Sequence, residues 1–383
     1  MLIGALLLAL GATFPLQDAP SEAELGPAEA RVAMERGIQW LLEAQGEDGS
    51  WGLPLPCHTE DDGFAHLAYY GYREGAHGVV LRGLLLAPET PEIRAALERG
   101  LKWCLEQKIT ARGDDWDVDG TWGVVYSFDA LAHAAADPRF AGEEWQKSFL
   151  RRATALLEEL DRRQTLEGGW AYYDDPPFTE KPTWATSFTT ALLLPALKLA
   201  KEELDWPVPD EMLSRAVEGV RGCALPNGAY TYDISARPEG YDLEDINQPA
   251  GSLCRIQVCN WALAKCGVGW VTPDKLREGL DWLFRLHTWL DMARMEPIPH
   301  HKYYANSGYF YFFGHAYAAE VIELLPAGER EAWHRKLRAE AIKCQSEAGS
   351  ASDFLSGHYI EAASTGYLVW LLARGLQETE SGS

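Results

Sequence analysis

The sequence has few basic residues, since 34 Lys and Arg stand against 57 Asp and Glu, and the formal net charge is −23. A chain this acidic repels the phosphate backbone of nucleic acids and anionic lipid headgroups. We therefore expect neither a nucleic acid nor a membrane surface as its partner. With 47% hydrophobic and 24% charged residues, the composition is that of a globular protein with a large core rather than of a disordered or fibrous one.

The N-terminal hydrophobic run is too short to cross a membrane. The uncharged stretch from Leu2 to Phe14 has 13 residues and is closed by Pro15, whereas a spanning helix needs roughly 20. Its length is typical of the apolar core of a secretory signal, although no Lys or Arg precedes it. We expect residues 1–17 to be a signal peptide, residues 18–28 a linker, and the protein to be exported to the periplasm or the cell exterior. The alternatives are a membrane tether through an uncleaved signal and a buried N-terminal helix.

Cysteine pairs of the CxxC type are absent. Seven cysteines are scattered along the chain, and this odd number without regular spacing fits no zinc or disulfide framework. Cys104, Cys223 and Cys344 fall in helical patterns and are expected to be small buried apolar residues. The sequence therefore predicts no metal site and no cofactor, and it leaves any disulfide pairing open.

What the chain does contain is an internal repeat of about sixty residues. The segment Glu35–Trp40 (ERGIQW) returns as Glu98–Trp103 (ERGLKW) and as Arg277–Trp282 (REGLDW). Weaker copies place the same Gly or Ala at positions 153, 219 and 341. Together with positions 37, 100 and 279, these make six copies at intervals of 63, 53, 66, 60 and 62 residues. Repetition of this kind indicates an array of equivalent structural units.

Each copy has the same internal order: an amphipathic helix carrying the motif, a Gly/Asp/Trp turn, and a second helix that is apolar on most sides. The turns are Asp48–Gly52, Asp119–Gly123 and Glu167–Trp170, with a degenerate one at Asn227–Tyr230. The second helices fall at 77–87, 125–136, 186–200, 252–266, 308–324 and 361–375. A helix that is apolar all round is buried on most faces. Twelve such alternating helices predict an all-α fold, an (α/α)6 toroid with six inner and six outer helices, as a single domain over residues 29–378.

The helix–DGxWG–helix unit resembles the repeat shared by squalene and oxidosqualene cyclases and by the β subunits of protein prenyltransferases. The stretch Gln45–Gly52 (QGEDGSWG) is the most specific part and resembles the QW-type motif of those proteins. The resemblance covers roughly residues 25–378. It implies that Trp51, Trp122 and Trp170 are structural residues that tie adjacent helices together.

The known chemistry of these families is not matched residue for residue. Squalene-type cyclases protonate an alkene with an Asp of a DxDD motif and have two helical domains, whereas Asp114–Asp119 is acidic without that order. In the prenyltransferases an Asp-x-Cys pair and a distant His hold zinc. The counterparts here are Ser252, Cys254 and His315, which leaves two plausible ligands where three are needed. Cys254 and Gln257 also have the spacing of the thioester in complement-like toroids, but they lack its flanking residues.

Three segments expected at one mouth of the ring are rich in His, Tyr and carboxylates: 57–77, 172–187 and 300–315. They are longer than ring closure requires, which favours binding or catalysis. The candidate catalytic residues are Tyr311, His315, Asp129 and Asp174. The candidate ligand-binding residues are His66, Tyr69, His77, Trp184, Arg255, Tyr304 and Tyr309.

Structural interpretations of several candidates stay open. His315 is equally a core histidine, and a turn is the favoured interpretation of Asp174, which precedes two prolines. A carboxylate on a buried helix needs a partner, so Asp129 and Arg255 are also candidates for a structural ion pair.

Three functional hypotheses follow. An apolar, aromatic cavity would bind or transform an isoprenoid-like hydrophobic small molecule, because aromatic faces suit hydrocarbon chains and carbocations. A polar mouth of Tyr, His and carboxylates would bind a glycan or serve polysaccharide lyase or hydrolase chemistry. A non-enzymatic scaffold is the third hypothesis. The first predicts that Phe310, Phe312, Phe313 and Trp184 line the cavity, and the second predicts Tyr309, Tyr311, His315 and Asp174. The oligomeric state is left open.

Overall fold

The computed structural model describes residues 25–52, 66–109, 120–172, 181–235, 245–296, 304–355 and 358–381. Within these residues there are α-helices, short 3₁₀ turns and three isolated bridge pairs, but no β-strand. The predicted signal segment, residues 1–17, lies outside the described residues, and the first helix already begins at Pro27 within the predicted linker. None of the described helices is both long and apolar enough to cross a membrane.

Thirteen α-helices occur in the described part of the chain. Six alternate helices form an inner ring: α2 (His66–Leu86), α4 (Gly120–Ala136), α6 (Ser187–Glu202), α8 (Leu253–Lys265), α11 (Phe310–Ile322) and α13 (Glu361–Ser381). Six others lie outside it: α1 (Pro27–Ala44), α3 (Pro91–Glu106), α5 (Glu143–Arg163), α7 (Asp210–Gly222), α9 (Pro273–Arg285) and α12 (Ala327–Ile342). The short α10 (Thr288–Arg294) follows α9.

Caps and one-sided apolar patterns explain the outer helices. In α3 the Thr90 hydroxyl accepts a hydrogen bond from the backbone N–H of Ile93, and Pro91 occupies the first turn, where its missing N–H has no consequence. Ile93, Leu97 and Leu101 then bury one face. In the inner α4, by contrast, 14 of the 17 residues are buried. The two sequence patterns therefore separate covering helices from enclosed ones.

The inner helices pack in the order α2, α4, α6, α8, α11 and α13, and α13 packs back on α2 to close the ring. Each outer helix covers the inner helix before it in the chain: α3 lies on α2, α5 on α4, α7 on α6, α9 on α8 and α12 on α11. The sixth cover is α1, which packs on α13. The predicted all-α toroid with two concentric rings is confirmed.

A glutamine and a tryptophan build the turn after α1. The Gln45 side-chain amide donates to the carbonyl oxygens of Gly49, at 2.9 Å, and of Ala96 in α3, at 2.9 Å. The Trp51 indole donates to the Leu41 carbonyl of α1 at 2.7 Å. The turn therefore joins one outer helix to the next, as the QW-type resemblance implies.

Two other turns repeat these bonds. Each glutamine donates to its own turn and to the next outer helix: Gln164 to Gly168 and Met212, and Gln345 to Gly349 and Ala33. The Trp170 indole donates to the Leu160 carbonyl at 2.8 Å. The sequence does not reveal the turn at Gln345, because Ala351 stands where the other turns have tryptophan.

The same turns explain the repeated Glu-Arg-Gly motif. Arg99 of α3 donates to the Gln45 side chain. Gly49 has a φ of +89° and lies against Arg99, so that a β-carbon would come within 2.7 Å of the Arg99 carbonyl oxygen. A β-carbon at Gly100 would lie 2.5 Å from the Trp51 ring. The motif residues therefore make room for the neighbouring turn.

The position of Trp122 differs from the structural turn position that the sequence resemblance implied. Residues 110–119 lie outside the described residues, but Gly120 already begins α4, so Trp122 lies in its first helical turn. Its ring stacks on Tyr172 at 5.8 Å between centroids and lines the axial cavity. Unlike Trp51 and Trp170, which are fully buried, Trp122 is part of the cavity wall.

Candidate functional site

A cavity of about 470 Å³ lies at the axis of the ring. The N-terminal halves of α2, α4, α6, α11 and α13 supply most of its wall, together with the segments just before α8 and α11. Ten of its 19 lining residues are aromatic: Tyr72, Trp122, Tyr126, Tyr172, Phe188, Tyr232, Tyr309, Phe310, Phe313 and Tyr367. Among the described residues the cavity is therefore predominantly aromatic and apolar.

Many of the tyrosine hydroxyls in this wall bond to one another. The Tyr126 and Tyr367 hydroxyls share a hydrogen bond, and so do those of Tyr309 and Tyr359 behind the wall. The Tyr232 hydroxyl lies 3.4 Å from that of Tyr172. Such pairing satisfies the hydroxyls within the protein and leaves mainly ring faces toward the cavity.

Among the described residues, Asp353 is the only carboxyl that lines the cavity. It follows the turn at Gln345 and is 3% exposed. Its Oδ1 accepts the backbone N–H of Phe312, at the start of α11, at 2.8 Å, and its Oδ2 accepts the Ser364 hydroxyl of α13 at 2.9 Å. The two helices therefore hold a single buried acid against an aromatic wall.

Burial raises the pKa of the Asp353 carboxyl to about 7, against the lowering effect of the Phe312 and Ser364 hydrogen bonds and of the more distant Arg294. A carboxyl in an apolar environment holds its proton, because the charged form loses its hydration. Ser364 suits both protonation states. Its hydroxyl also reaches the Ile360 carbonyl at 3.2 Å, so it can donate there while it accepts a hydrogen bond from the protonated Asp353, or turn to donate to the carboxylate.

The structure separates the candidates on α11. Tyr309 lines the cavity, as do Phe310 and Phe313. Tyr311 and His315 are buried but are not among the lining residues. They face the outer layer, since the Tyr311 hydroxyl donates to the Glu340 carbonyl of α12 at 3.0 Å. This placement corrects the assignment of Tyr311 and His315 to a catalytic cavity.

His315 belongs instead to a hydrogen-bonded pair with His287. Its Nδ1 bonds to the Tyr311 carbonyl at 2.6 Å, and its Nε2 lies 2.9 Å from Nε2 of His287. Nδ1 of His287 faces the carboxylates of Asp291, at 3.1 Å, and Glu340, at 3.2 Å. Both Nδ1 atoms therefore face acceptors, and the two Nε2 atoms face each other.

The group His287, Asp291 and Glu340 has the geometry of a metal-ligand cluster within the described residues. Lys343, however, already binds both carboxylates, and its amine lies 3.0 Å from Asp291. The Lys343 ammonium thus lies between the two carboxylates and offsets part of their negative charge. This cluster therefore joins α10, α11 and α12 as a structural element.

His77 is also structural. Its Nδ1 accepts the backbone N–H of Trp51 at 3.3 Å, and its Nε2 lies 3.0 Å from the Gly100 carbonyl. Thr190 and Thr365 accept the equivalent N–H in the other turns. His77 thus anchors a turn on the far side of α2 from the cavity, which corrects its assignment as a ligand-binding residue.

Asp129 is paired with Arg82, not with Arg255. Arg82 Nε donates to Asp129 Oδ2 at 2.7 Å, and both side chains are buried. This pair joins α2 to α4. Arg255 donates to the Tyr230 and Ile246 carbonyls, and its guanidinium lies 5.3 Å from the Tyr232 ring centroid. Arg255 therefore supports the cavity wall from behind.

The other candidates lie beside the cavity or outside the described side chains. Trp184 donates to Asp233 at 2.6 Å and packs edge-on against Tyr172. Tyr304 has a φ of +55° and packs on Trp289. His66 and Tyr69 belong to the first turn of α2, but their side chains lie outside the described part of the structure, as does the whole of Asp174.

The contacts of Cys254 and Gln257 exclude a thioester between them. The Cys254 sulfur packs on Gly314 of α11, whereas the Gln257 amide donates to the Gly279 carbonyl of α9 at 2.9 Å. The two side chains therefore point to opposite layers of the ring. Ser252, the counterpart of a zinc-binding Asp, exchanges hydrogen bonds with the backbone of Tyr230 instead.

Comparison with known proteins supports the toroid. No family model matches the chain. A terpene cyclase–glycosyl transferase fusion protein of Humicola fuscoatra is 26% identical over 223 residues, which are 51% of this chain but 15% of that protein. The chain therefore corresponds to a small part of that relative.

Solved structures of two enzyme classes share the fold. The type II terpene cyclase MstE from Scytonema superposes with a TM-score of 0.53 at 14% identity, over 92% of this chain and 99% of that one. An inactive variant of an α-1,6-mannanase from Salegentibacter sp., bound to α-1,6-mannotetrose, gives a TM-score of 0.51 at 12% identity, over 91% and 98%. At such identities the likeness shows the fold alone.

Proposed function

We propose that this protein binds an isoprenoid chain in the axial cavity and starts its cyclisation by proton transfer from Asp353. The observation that carries the proposal is that the described part of the cavity wall holds a single carboxyl, buried and with a raised pKa, among ten aromatic residues. A wall of ring faces, in which many of the tyrosine hydroxyls bond to one another, suits a hydrocarbon chain.

The protonated carboxyl of Asp353 is the proton donor. Its O–H bond breaks as a bond to hydrogen forms at the substrate, and the positive charge passes to carbon. The faces of Tyr126, Phe313 and Tyr367 then stabilise that charge through their quadrupoles. Loss of a proton from the cyclised cation ends the reaction, so substrate and product are isomers and no co-reactant is needed.

Ser364 and the Phe312 N–H stabilise the carboxylate that the transfer leaves behind. The N–H is already in place, and the Ser364 hydroxyl turns from Ile360 to the carboxylate as the charge appears. Donors arranged in advance toward a developing charge lower the barrier to its formation. This arrangement replaces the neighbouring carboxyls of a DxDD motif.

One relative and the cavity wall support an isoprenoid over a glycan. The relative of H. fuscoatra is a terpene cyclase–glycosyl transferase fusion protein. The solved structures are divided between the two ligands, since a variant of MstE holds geranylgeranyl dihydroxybenzoate and the mannanase holds α-1,6-mannotetrose. Glycoside hydrolysis generally requires two carboxyl groups facing the bond that breaks, whereas the described cavity wall holds one. A glycan-directed role through Asp174 is the alternative.

The test is conversion of linear polyprenyl substrates of C15 to C30 by the purified protein, with products separated by gas chromatography and identified by mass spectrometry. Asp353→Asn keeps an oxygen for the Phe312 N–H but has no proton to donate. We expect its rate to fall by about 10²- to 10⁴-fold. We also expect the wild-type rate to decline above pH 7, because Asp353, whose pKa is about 7, loses its proton there.

Asp274→Asn is the matched control, because its carboxyl is exposed, with 93% of the side chain accessible. We expect it to leave the rate unchanged. Cyclisation that survives in Asp353→Asn would refute the role of this acid. Activity on α-linked oligosaccharides that depends on Asp174 would favour the glycan alternative.

A further inference from the structure

One polar atom of the cavity wall has no hydrogen-bond partner within the described part of the chain. This atom is the hydroxyl of Ser307, a residue that lines the cavity and is only 7% exposed. The other buried serines of the described residues all bond: Ser50, Ser127, Ser187, Ser252, Ser350 and Ser364. Ser307 is thus the exception among the buried serines of the described residues.

Several buried polar atoms elsewhere are also unpaired, but none of their residues lines the cavity. A buried hydroxyl without a partner destabilises a protein, because it has given up its bonds to water. Such a group is expected where a ligand completes the bond. The position of Ser307 therefore indicates a polar atom in whatever fills the cavity.

The segment that carries Ser307 is held firmly. The side-chain amide of the preceding residue, Asn306, donates to the Ala250 carbonyl at 2.9 Å. The Ser307 carbonyl accepts the N–H of Phe310 at 3.1 Å and so starts α11. The backbone that presents the hydroxyl is therefore fixed in place before a ligand arrives, as a specificity-determining group requires.

The same segment lies beside the proposed acid. Gly308 packs on Phe354, the neighbour of Asp353 in the chain, so closely that a β-carbon would lie 2.7 Å from that of Phe354. Asp353 in turn accepts the N–H of Phe312, in the first turn of the helix that Ser307 starts. Ser307 and Asp353 thus belong to the same end of the cavity.

We propose that the substrate is an isoprenoid with an oxygen atom at the end that reaches Asp353, and that Ser307 binds this oxygen. The inference rests on the function proposed above and adds the chemical class of the substrate to it. A pure hydrocarbon leaves the Ser307 hydroxyl unpaired, whereas an oxygenated chain gives it a partner while the remaining chain contacts the aromatic wall. Ser307 then determines specificity and takes no part in proton transfer.

The test compares two matched probes, a C20 polyprenyl acetate and the same ester with an epoxide on its distal double bond. Binding is followed by the quenching of tryptophan fluorescence in the Asp353→Asn background, so that neither probe is converted. One additional hydrogen bond predicts that the epoxide binds about 3- to 10-fold more tightly. Ser307→Ala should bring that ratio close to one by weakening the epoxide alone.

Ser50→Ala is the control, because Ser50 is a buried serine whose hydroxyl bonds to the Asp48 carboxylate in the turn after α1 and does not line the cavity. It should lower stability and leave the ratio unchanged. If Ser307→Ala fails to fold, Ser307→Cys, which keeps the size but weakens the donor, should lower the ratio instead. Equal binding of both probes, or a ratio that persists in the Ser307 variants, would overturn this inference alone. Failure of both probes to bind would overturn the proposed function as well.

Discussion

Two fully buried histidines, His77 and His315, make the stability of the folded protein depend on pH. Burial lowers the pKa of both to about 3, whereas an unfolded histidine has a pKa of about 6.5. Between these values the unfolded chain binds more protons, so the free energy of unfolding falls as the pH falls, by up to about 1.4 kcal/mol per pH unit for each histidine. Asp353 has the opposite effect, because its raised pKa makes the folded state bind the extra proton.

Replacing His77 by threonine should distinguish two contributions of His77 to stability, that of its packing and that of its protonation at low pH. Thr190 and Thr365 already hold the equivalent N–H, but threonine leaves space beside Trp103. We expect His77→Thr to lose about 2 kcal/mol at pH 8 and then to lose less stability than the wild type between pH 6.5 and pH 4. Urea unfolding across this range measures both effects. If the stability of the variant falls as steeply as that of the wild type between pH 6.5 and pH 4, His77 is not the group that causes the fall.

Helix α11 shows why the candidate residues could not all be sorted from sequence. Its residues are buried on nearly all sides, so the apolar pattern has no preferred face and cannot say which side chains meet the axis. Phe310 and Phe313 lie one turn apart and face the cavity, while Tyr311 and His315 share the opposite side. The sequence did not indicate Asp353 as a site residue either, because Asp353 follows the turn at Gln345, in which alanine replaces the tryptophan.

Among the structural elements, the turns at Gln45, Gln164 and Gln345 each connect one outer helix to the next. The glycine of these turns is forced both by backbone conformation and by contact: Gly168 has a φ of +100°, and a β-carbon there would lie 2.4 Å from the Arg215 carbonyl oxygen. Gly349 repeats this arrangement against Arg36. Because the contact is to backbone, no side-chain movement relieves it.

We expect Gly168→Ala to destabilise the protein by about 3 kcal/mol or more, from backbone strain together with the displacement of α7. Gly267→Ala is the control, because Gly267 also has a positive φ, of +77°, but nothing within 4 Å of its β-carbon position. This variant should be destabilised only by the backbone strain, by about 1 kcal/mol. Chemical unfolding of the two variants measures the difference, and equal losses would show that the contact with Arg215 is unimportant.

The repeated elements were predictable because these contacts recur in sequence. Motif residues such as Arg99 and Gly100 are constrained by the preceding turn, so similar residues recur in each repeat. The boundaries were less predictable: α2 begins at His66 instead of residue 77, since its first residues lack the apolar pattern of the enclosed part.

For the molecule as a whole, the seam between the first and last inner helices decides whether the ring closes. Gly83 of α2 lies against Gly366 of α13, and a β-carbon at Gly83 would come within 2.5 Å of the Gly366 carbonyl oxygen. Val79 on one side of this seam and Tyr367 on the other line the cavity. The closeness of the two backbones therefore shapes both the ring and its cavity.

Gly83→Ala should force α2 and α13 apart. We expect a loss of about 3 kcal/mol in unfolding free energy and, in the same variant, weaker binding of the polyprenyl probes. Gly328→Ala, near the start of α12 with nothing within 4 Å of its β-carbon position, should be neutral or slightly stabilising. Circular dichroism during urea unfolding and fluorescence quenching measure the two effects. Unchanged stability in Gly83→Ala would refute the importance of the seam.

The cover that α1 provides for α13 has a consequence for synthesis on the ribosome. Because the partner of α1 is the last of the described helices, the apolar face of α1 emerges more than 300 residues before the surface that buries it. Contacts this distant in the chain form slowly, and the exposed face invites aggregation or chaperone binding in the meantime. A nascent chain arrested before Glu361 would therefore show its defect at the opposite end, as protease sensitivity of α1.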